Sequence, residues 1–458
     1  MKNKVTATFV FALLVTGGLL AMYFLPTLKV DGYTLRKVDL LSDLRPEPVE
    51  EVLCDSDSLE LLPVVKPVFV DTCKTGMVCI EDYSDSTMRG MSRFYDALAQ
   101  RASSRRPVRI AYFGDSFIEG DILTADLRAM LQSRFGGCGV GYVPVTSRIA
   151  GFRPTVRHEF SGWQSHSVTD SIGFNRQLQD LSNHYYVPSA GAKVALKGQR
   201  VYASHLESCD ESSFFFVASD SIWLSAVTNQ SDTVSYAFPG NGALQVATVS
   251  GNIRNVEWTV ERFDSAAVCY GVTMDGSDGV VVDNFSTRGS SGQQLGGVPM
   301  PVLKAYNRLR TYDLIVLQYG LNVASEGITN YRYYTSDMVR VINHLKEAFP
   351  QASILLVSIG DRESKDEAGN LRTMPGVKNL VRYQQALAAE THIAFWNLYH
   401  AMGGEGSMVK LVESKPQMAN YDYTHINFRG GKHLAELLFE SLVYGMEQHE
   451  KRKAYENE

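Results

Sequence analysis

The stretch from Val108 to Leu131 restricts this chain more than any other. Val108-Arg-Ile-Ala-Tyr-Phe is an apolar, β-rich run that enters the turn Gly114-Asp115-Ser116, after which Ile122, Leu123, Leu127, Met130 and Leu131 recur at helical spacing. That pattern predicts strand, tight turn, helix. Such a junction lifts one side chain above the carboxyl edge of a sheet, among the unpaired N–H groups of a helix start. Ser116 takes that position, from which a serine attacks an acyl carbon if a base removes its proton and N–H donors hold the oxyanion. Taken alone, the same residues serve equally well as a plain helix cap.

Downstream the chain repeats the alternation. Asp313-Leu-Ile-Val-Leu-Gln-Tyr319 is a continuous apolar run of the kind buried on both faces of a sheet, and a helix is predicted over 331–348. A strand at 353–357, a helix at 377–390, a strand at 393–396 and a final helix at 429–448 follow. An earlier helix over 88–102 carries Met91, Phe94, Tyr95, Leu98 and Ala99 on one face. Alternation of this kind builds a parallel sheet, and ligands bind at the carboxyl ends of its strands. The glycines of Phe135-Gly-Gly-Cys-Gly-Val-Gly141 leave a helix instead of opening one, so they read as a C-cap and turn, not a phosphate loop.

Between about 150 and 283 the texture changes to short aromatic and β-branched runs, such as Ser213-Phe-Phe-Phe-Val217 and Val256-Glu-Trp-Thr-Val260, separated by Asn, Asp, Gly and Ser turns. Several strands so spaced predict a β-sandwich, here inserted into the α/β pattern. The expected organisation is an amino-terminal segment 1–28, a Pro- and acid-rich stalk 29–86, a first α/β part 87–150, the insert 151–283 and a second α/β part 284–458.

Lys2 and Lys4 precede an almost uncharged apolar run from Val5 to Leu28, long enough to span a bilayer. The positive-inside rule sends the remainder outward, as an inner-membrane anchor or a cleaved signal peptide. Export makes the six cysteines disulfide candidates, with Cys73–Cys79 first, Cys209–Cys269 second, and Cys54 and Cys138 equally well free. A net charge of -6 offers no broad basic field for nucleic acid. No His/Cys cluster has metal-ligand spacing, so neither a metal nor a cofactor is expected.

Three further segments fall at predicted strand ends. Asp283-Asn-Phe-Ser-Thr-Arg-Gly289 places a glycine N–H where no Cβ obstructs a ligand, which makes Gly289 a candidate oxyanion donor. Gln318-Tyr-Gly-Leu-Asn322 ends on an amide that either donates to an oxyanion or serves the turn. Asp422-Tyr-Thr-His425 sets a carboxylate three residues before a histidine, within reach of its Nδ1–H.

In order, Gly114-Asp115-Ser116, Gly289, Gly320-x-Asn322 and Asp422-x-x-His425 resemble the four blocks of the SGNH, or GDSL-type, hydrolases. The resemblance implies a three-layer α/β/α fold with a flavodoxin-like parallel sheet. It implies Ser116 as nucleophile, His425 as base and then acid, and Asp422 as its orienting partner. The oxyanion donors it implies are the Ser116 N–H, the Gly289 N–H and the Asn322 side chain. Ile118 replaces the second glycine of a Gly-x-Ser-x-Gly elbow, so the α/β-hydrolase fold is not expected. A narrower resemblance is to exported bacterial members with a β-sandwich insert that remove O-acetyl groups from peptidoglycan or other polysaccharides. Many of these have histidine after the serine, where this chain has Phe117.

The expected activity is that of a carbohydrate O-acetylesterase facing the periplasm. A transferase receiving acetyl from a membrane-bound O-acyltransferase uses the same triad, and a non-catalytic glycan-binding scaffold is the third reading. Trp163, Trp223 and Trp258 of the insert are either a glycan platform or core.

Overall fold

The computed structural model describes residues 4–23, 29–30, 33–34, 69–70, 72–84, 90–170 and 172–457. The chain forms two compact units, Met1–Val68 and Phe69–Glu458. In the first, the apolar run is a helix, Lys4–Tyr23, followed by a two-residue hairpin pairing Lys29–Val30 with Tyr33–Thr34. Among the described residues no helix is long and apolar enough to cross a membrane. The remainder of the expected span, residues 24–28, Cys54 and most of the expected stalk lie outside the described residues.

The second unit is a mixed α/β structure with two separate sheets. Six strands form the central sheet in the order Val280–Ser286, Val108–Gly114, Leu314–Gln318, Ser353–Val357, Ala394–Trp396 and Glu81–Asp82. The first five run parallel and the last is antiparallel. Every residue of Val108–Gly114, Leu314–Gln318 and Ser353–Val357 is buried, as their unbroken apolar character requires. Connecting helices include Ser92–Gln100, Thr124–Phe135, Arg332–Ala348, Pro375–Glu390 and Phe428–Asn457. Gly136 ends the Thr124–Phe135 helix, donating its N–H to the Gln132 carbonyl. After Val108–Gly114 the chain places Val280–Ser286 on one side of that strand and Leu314–Gln318 on the other. This change of direction opens a crevice at the strand's carboxyl end, directly above Ser116.

The second sheet has nine strands, all paired antiparallel. Its edges differ from the expected 151–283. Gly141–Pro144 already pairs with Ala267–Met274, whereas Val280–Ser286 belongs to the central sheet. Polar stitching explains the shift: Asp283 accepts the Tyr142 N–H at 2.8 Å and is paired with Arg310 at 2.6 Å, so one buried carboxylate holds both crossings. The alternation of Phe214, Phe215 and Phe216 assigns their faces. Phe214 and Phe216 join the core of the nine-stranded sheet, and Phe215 stacks at 5.5 Å on Tyr306 beside the central sheet.

Cys73 and Cys79 form a disulfide, but Cys209 and Cys269 are free and buried. Register separates them. Cys209 lies opposite Ile253, while Cys269 lies opposite Phe216, seven residues along the same strand, which is roughly 23 Å against the ~7 Å a disulfide tolerates. Cys138 is also free. Trp258 is core, 1% exposed, with its indole N–H on Ser212 Oγ at 3.0 Å. Trp223 lies beneath the Arg262 guanidinium at 3.5 Å, and Trp163 donates to the Lys193 carbonyl.

Candidate active site

Strand register sets the site. Gly114, Ser286, Gln318 and Val357 are aligned partners at the carboxyl ends of four adjacent parallel strands. The Ser116 turn, the Gly289 loop and the Gly320-x-Asn322 loop therefore leave the sheet side by side. The Thr287 N–H donates to the Gly114 carbonyl at 2.9 Å, and the Asn322 amide donates to the Ser290 carbonyl at 2.9 Å, tying the three loops together.

The fourth segment arrives from the far end of the chain. Ala419 bridges Ile426, and the Asn427 side chain accepts the Arg429 and Gly430 N–H groups, starting the helix Phe428–Asn457. Gly431 in its first turn lies so close to the Ile122 carbonyl that a Cβ there would fall 1.8 Å from the oxygen. That approach brings the Asp422–His425 loop to the nucleophile turn.

There, His425 Nε2 lies 3.0 Å from Ser116 Oγ, and His425 Nδ1 lies 2.8 Å from Asp422 Oδ2. With Nδ1–H donated to the carboxylate, Nε2 is the acceptor facing the serine hydroxyl. Asp422 Oδ1 also accepts the main-chain N–H groups of Thr424 and His425, both at 3.0 Å. Burial alone would raise the Asp422 carboxyl; these bonds from His425 and Thr424 outweigh it and hold the group below the ordinary carboxylate range.

Gly289 is exposed at φ +78°, and a Cβ there would meet nothing within 4 Å; backbone conformation, not crowding, selects glycine. The Asn322 amide reaches Asp115 Oδ2 at 3.4 Å besides Ser290, and the longer of these bonds is the one an oxyanion would replace. Among the described residues no three His, Cys, Asp or Glu side chains gather as a metal would need.

Two features were not legible in advance. Phe117 is 3% exposed and turned into the core beneath the turn, so it does not stand where a polar neighbour of the serine would. Asp115 is also buried; it accepts the Phe117 N–H at 2.9 Å, and burial pushes its carboxyl up to about 6 despite that bond. It props the turn from below. The Gly-Asp-Ser turn itself was the only signal for it.

No family model and no curated protein matches the chain. Among solved structures, a peptidoglycan O-acetylesterase aligns over 80% of this chain and 99% of its own, with a TM-score of 0.65 and 21% identity. A family two carbohydrate esterase from Cellvibrio japonicus aligns over 66% and 98% at a TM-score of 0.25 and 10% identity. The salicylyl-acyltransferase SsfX3 of a tetracycline biosynthetic pathway aligns over 61% and 97% at 0.28 and 12%. Scores this low for the last two carry no weight, whereas the first aligns over most of both chains. The chain thus shares the fold of that peptidoglycan O-acetylesterase.

Proposed function

We propose that the protein is a serine esterase that removes O-acetyl groups from a cell-envelope or extracellular polysaccharide, such as peptidoglycan. The observation that carries this reading is the hydrogen-bonded line Asp422–His425–Ser116, at 2.8 and 3.0 Å. In this reading Ser116 Oγ attacks the acetyl carbonyl carbon as its proton passes to His425 Nε2. The oxyanion is held by the Ser116 and Gly289 N–H groups and the Asn322 amide. Collapse breaks the ester bond to the sugar, whose oxygen leaves with the proton from His425, and acetyl-Ser116 remains. Water, deprotonated by His425, then releases acetate. The three-layer arrangement around the central sheet, and a sandwich made by the nine-stranded one, belong to the same reading.

Release of acetate from an acetylated glycan or a small acetyl ester tests it. Ser116→Ala is expected to abolish release and covalent capture of a fluorophosphonate probe alike; release that survives the substitution rejects the esterase.

The amino-terminal helix favours a second reading of the same chemistry. Phe9, Phe11, Leu13 and Leu14 each expose about 60–70% of their surface, which suits a tether in the inner membrane with the remainder in the periplasm. A tethered enzyme would be placed to receive acetyl from a membrane-bound O-acyltransferase and pass it to a polysaccharide hydroxyl in place of water. Acetyl gain by a glycan acceptor, in competition with hydrolysis, distinguishes transfer.

A further inference from the structure

Next to the reaction centre lies a cavity of about 270 Å³ that the proposed chemistry does not use. One wall is Glu119–Asp121, immediately after the nucleophile turn, with Thr287 and Arg288, immediately before Gly289. The nine-stranded sheet supplies the facing wall, including His158, Ser165, Ser167 and His184. The volume is near the lower end of ligand pockets, ~300–1,000 Å³, and the lining is rich in hydroxyl and imidazole groups.

Arg288 is ion-paired with Glu119, which neutralises both. Asp121, fully buried and at φ +66°, is shared between two guanidinium groups, Arg128 at 3.1 Å and Arg153 at 2.8 Å, so one positive charge remains. The Arg153 side chain is 9% exposed, and its buried Nη2 has no hydrogen-bond partner. Arg148, exposed at the cavity edge, has no carboxylate partner among the described residues. Burial pushes His158 down to about 4 and lowers His184 too, so both imidazoles are neutral at pH 7 and act as hydrogen-bonding groups. Phe152, between the lining residues Ala150 and Arg153, exposes 76% of its surface, a flat apolar face beside a polar hollow. Two guanidinium groups thus line one hydroxyl-rich cavity, Arg148 without a carboxylate partner among the described residues and Arg153 with an unbonded Nη2, while Asp170 and Asp180, the carboxylates that also act on His184, are not part of its lining; the arginine side marks a place for an anion carried on a polar ring.

We propose that this cavity is a subsite for an acidic sugar unit of the substrate glycan. Its carboxylate is held by Arg148 in the field of Arg153, its hydroxyls meet the serine and histidine side chains, and its ring is bounded by Phe152. The assignment rests on the glycan-esterase reading for its place in a reaction, but its test does not need turnover. The full chain carrying Ser116→Ala is titrated calorimetrically with two carboxylate sources, trigalacturonate and N-acetylmuramic acid, each against a neutral counterpart, galactotriose and N-acetylglucosamine. At least one acidic ligand is expected to bind ten-fold or more tighter than its counterpart, and which one does so separates a ring carboxylate from a lactyl ether. Arg148→Gln is expected to reduce that preference at least five-fold, and Arg153→Lys to weaken it too. Arg105→Gln, in an exposed loop at the opposite end of the Val108–Gly114 strand, is expected to leave it intact. Equal binding of acidic and neutral ligands, or a preference as sensitive to Arg105→Gln as to Arg148→Gln, overturns the subsite. Acidic binding without acetate release by the unsubstituted protein upholds the subsite and rejects the esterase. Release with no acidic preference does the reverse.

Discussion

Two carboxylates flank the Ser116 hydroxyl in opposite surroundings. Asp115 lies under the nucleophile turn, 1% exposed, and burial raises its carboxyl to about 6. Asp422 sits on the rim with its side chain 49% exposed, and donated hydrogen bonds lower it. Ser116 is therefore positioned by packing, and His425 by a short run of local hydrogen bonds. Packing of that kind resists distortion but penalises charge, whereas the rim loop keeps a charge where the proposed reaction would form an imidazolium.

The comparison is sharpest for the rim loop, where the largest losses are expected. His425→Ala should lower acetyl-ester kcat by roughly 10⁴-fold or more, because a triad acts as a unit. Asp422→Asn should leave the loop folded yet cost on the order of 10²–10⁴-fold, since an amide favours the wrong imidazole tautomer. Steady-state kinetics with a check of thermal stability measures both. An Asp422→Asn enzyme of full activity would mean that packing, not the carboxylate, orients the ring.

Next comes the loop between the two regions. Asn322→Ala removes one oxyanion donor and should reduce kcat by about 10²–10³-fold with little change in KM. An effect confined to KM would leave the amide as a spacer between Ser290 and Asp115.

The smallest effect is on stability, and its sign separates the two carboxylates. A folded pKa raised from 3.8 to about 6 means that the native protein holds the Asp115 proton longer than the unfolded chain does. Stability linked to Asp115 is therefore full below pH 4 and falls as pH rises towards 6, by about 3 kcal/mol for a shift of roughly two units. Asp422 works the other way. Its lowered value contributes stability at neutral pH that is lost as pH falls through the folded value, below the ordinary carboxylate range. Denaturant unfolding between pH 4 and 6 should show a flatter pH slope for Asp115→Asn than for the unsubstituted protein; identical slopes would remove burial as the cause.

Much of this was legible in the chain. Ser116, His425, Asp422, Gly289 and Asn322 were picked out by residue type and by their place after apolar runs, and the coordinates bring Ser116, His425 and Asp422 into one hydrogen-bonded line. Strands at 353–357 and helices over 332–348 and 375–390 follow the hydrophobic period closely. Less legible was everything that depends on register between distant strands. Cys209 and Cys269 share a region but not a level, and Gly141–Pro144 pairs with Ala267–Met274, a strand that comes much later in the chain. Trp258 suits a glycan platform or a core by residue type, and only its burial assigns it to the core.

By itself the sequence determined which groups this protein has available for chemistry, because a hydroxyl, an imidazole, a carboxylate, an amide and a glycine N–H are covalent facts. It also determined that each follows a strand or precedes a helix, because hydrophobic period is local. Tertiary structure alone decided that residues 116 and 425 meet, through a glycine at 431 that lets a helix start touch the Ile122 carbonyl. It alone decided the raised titration of buried Asp115, and that Arg148 and Arg153 line one cavity. Desolvation is a sum over neighbours in space, and those acting on Asp115 include Gly320, Leu321 and His425, which come from segments far along the chain.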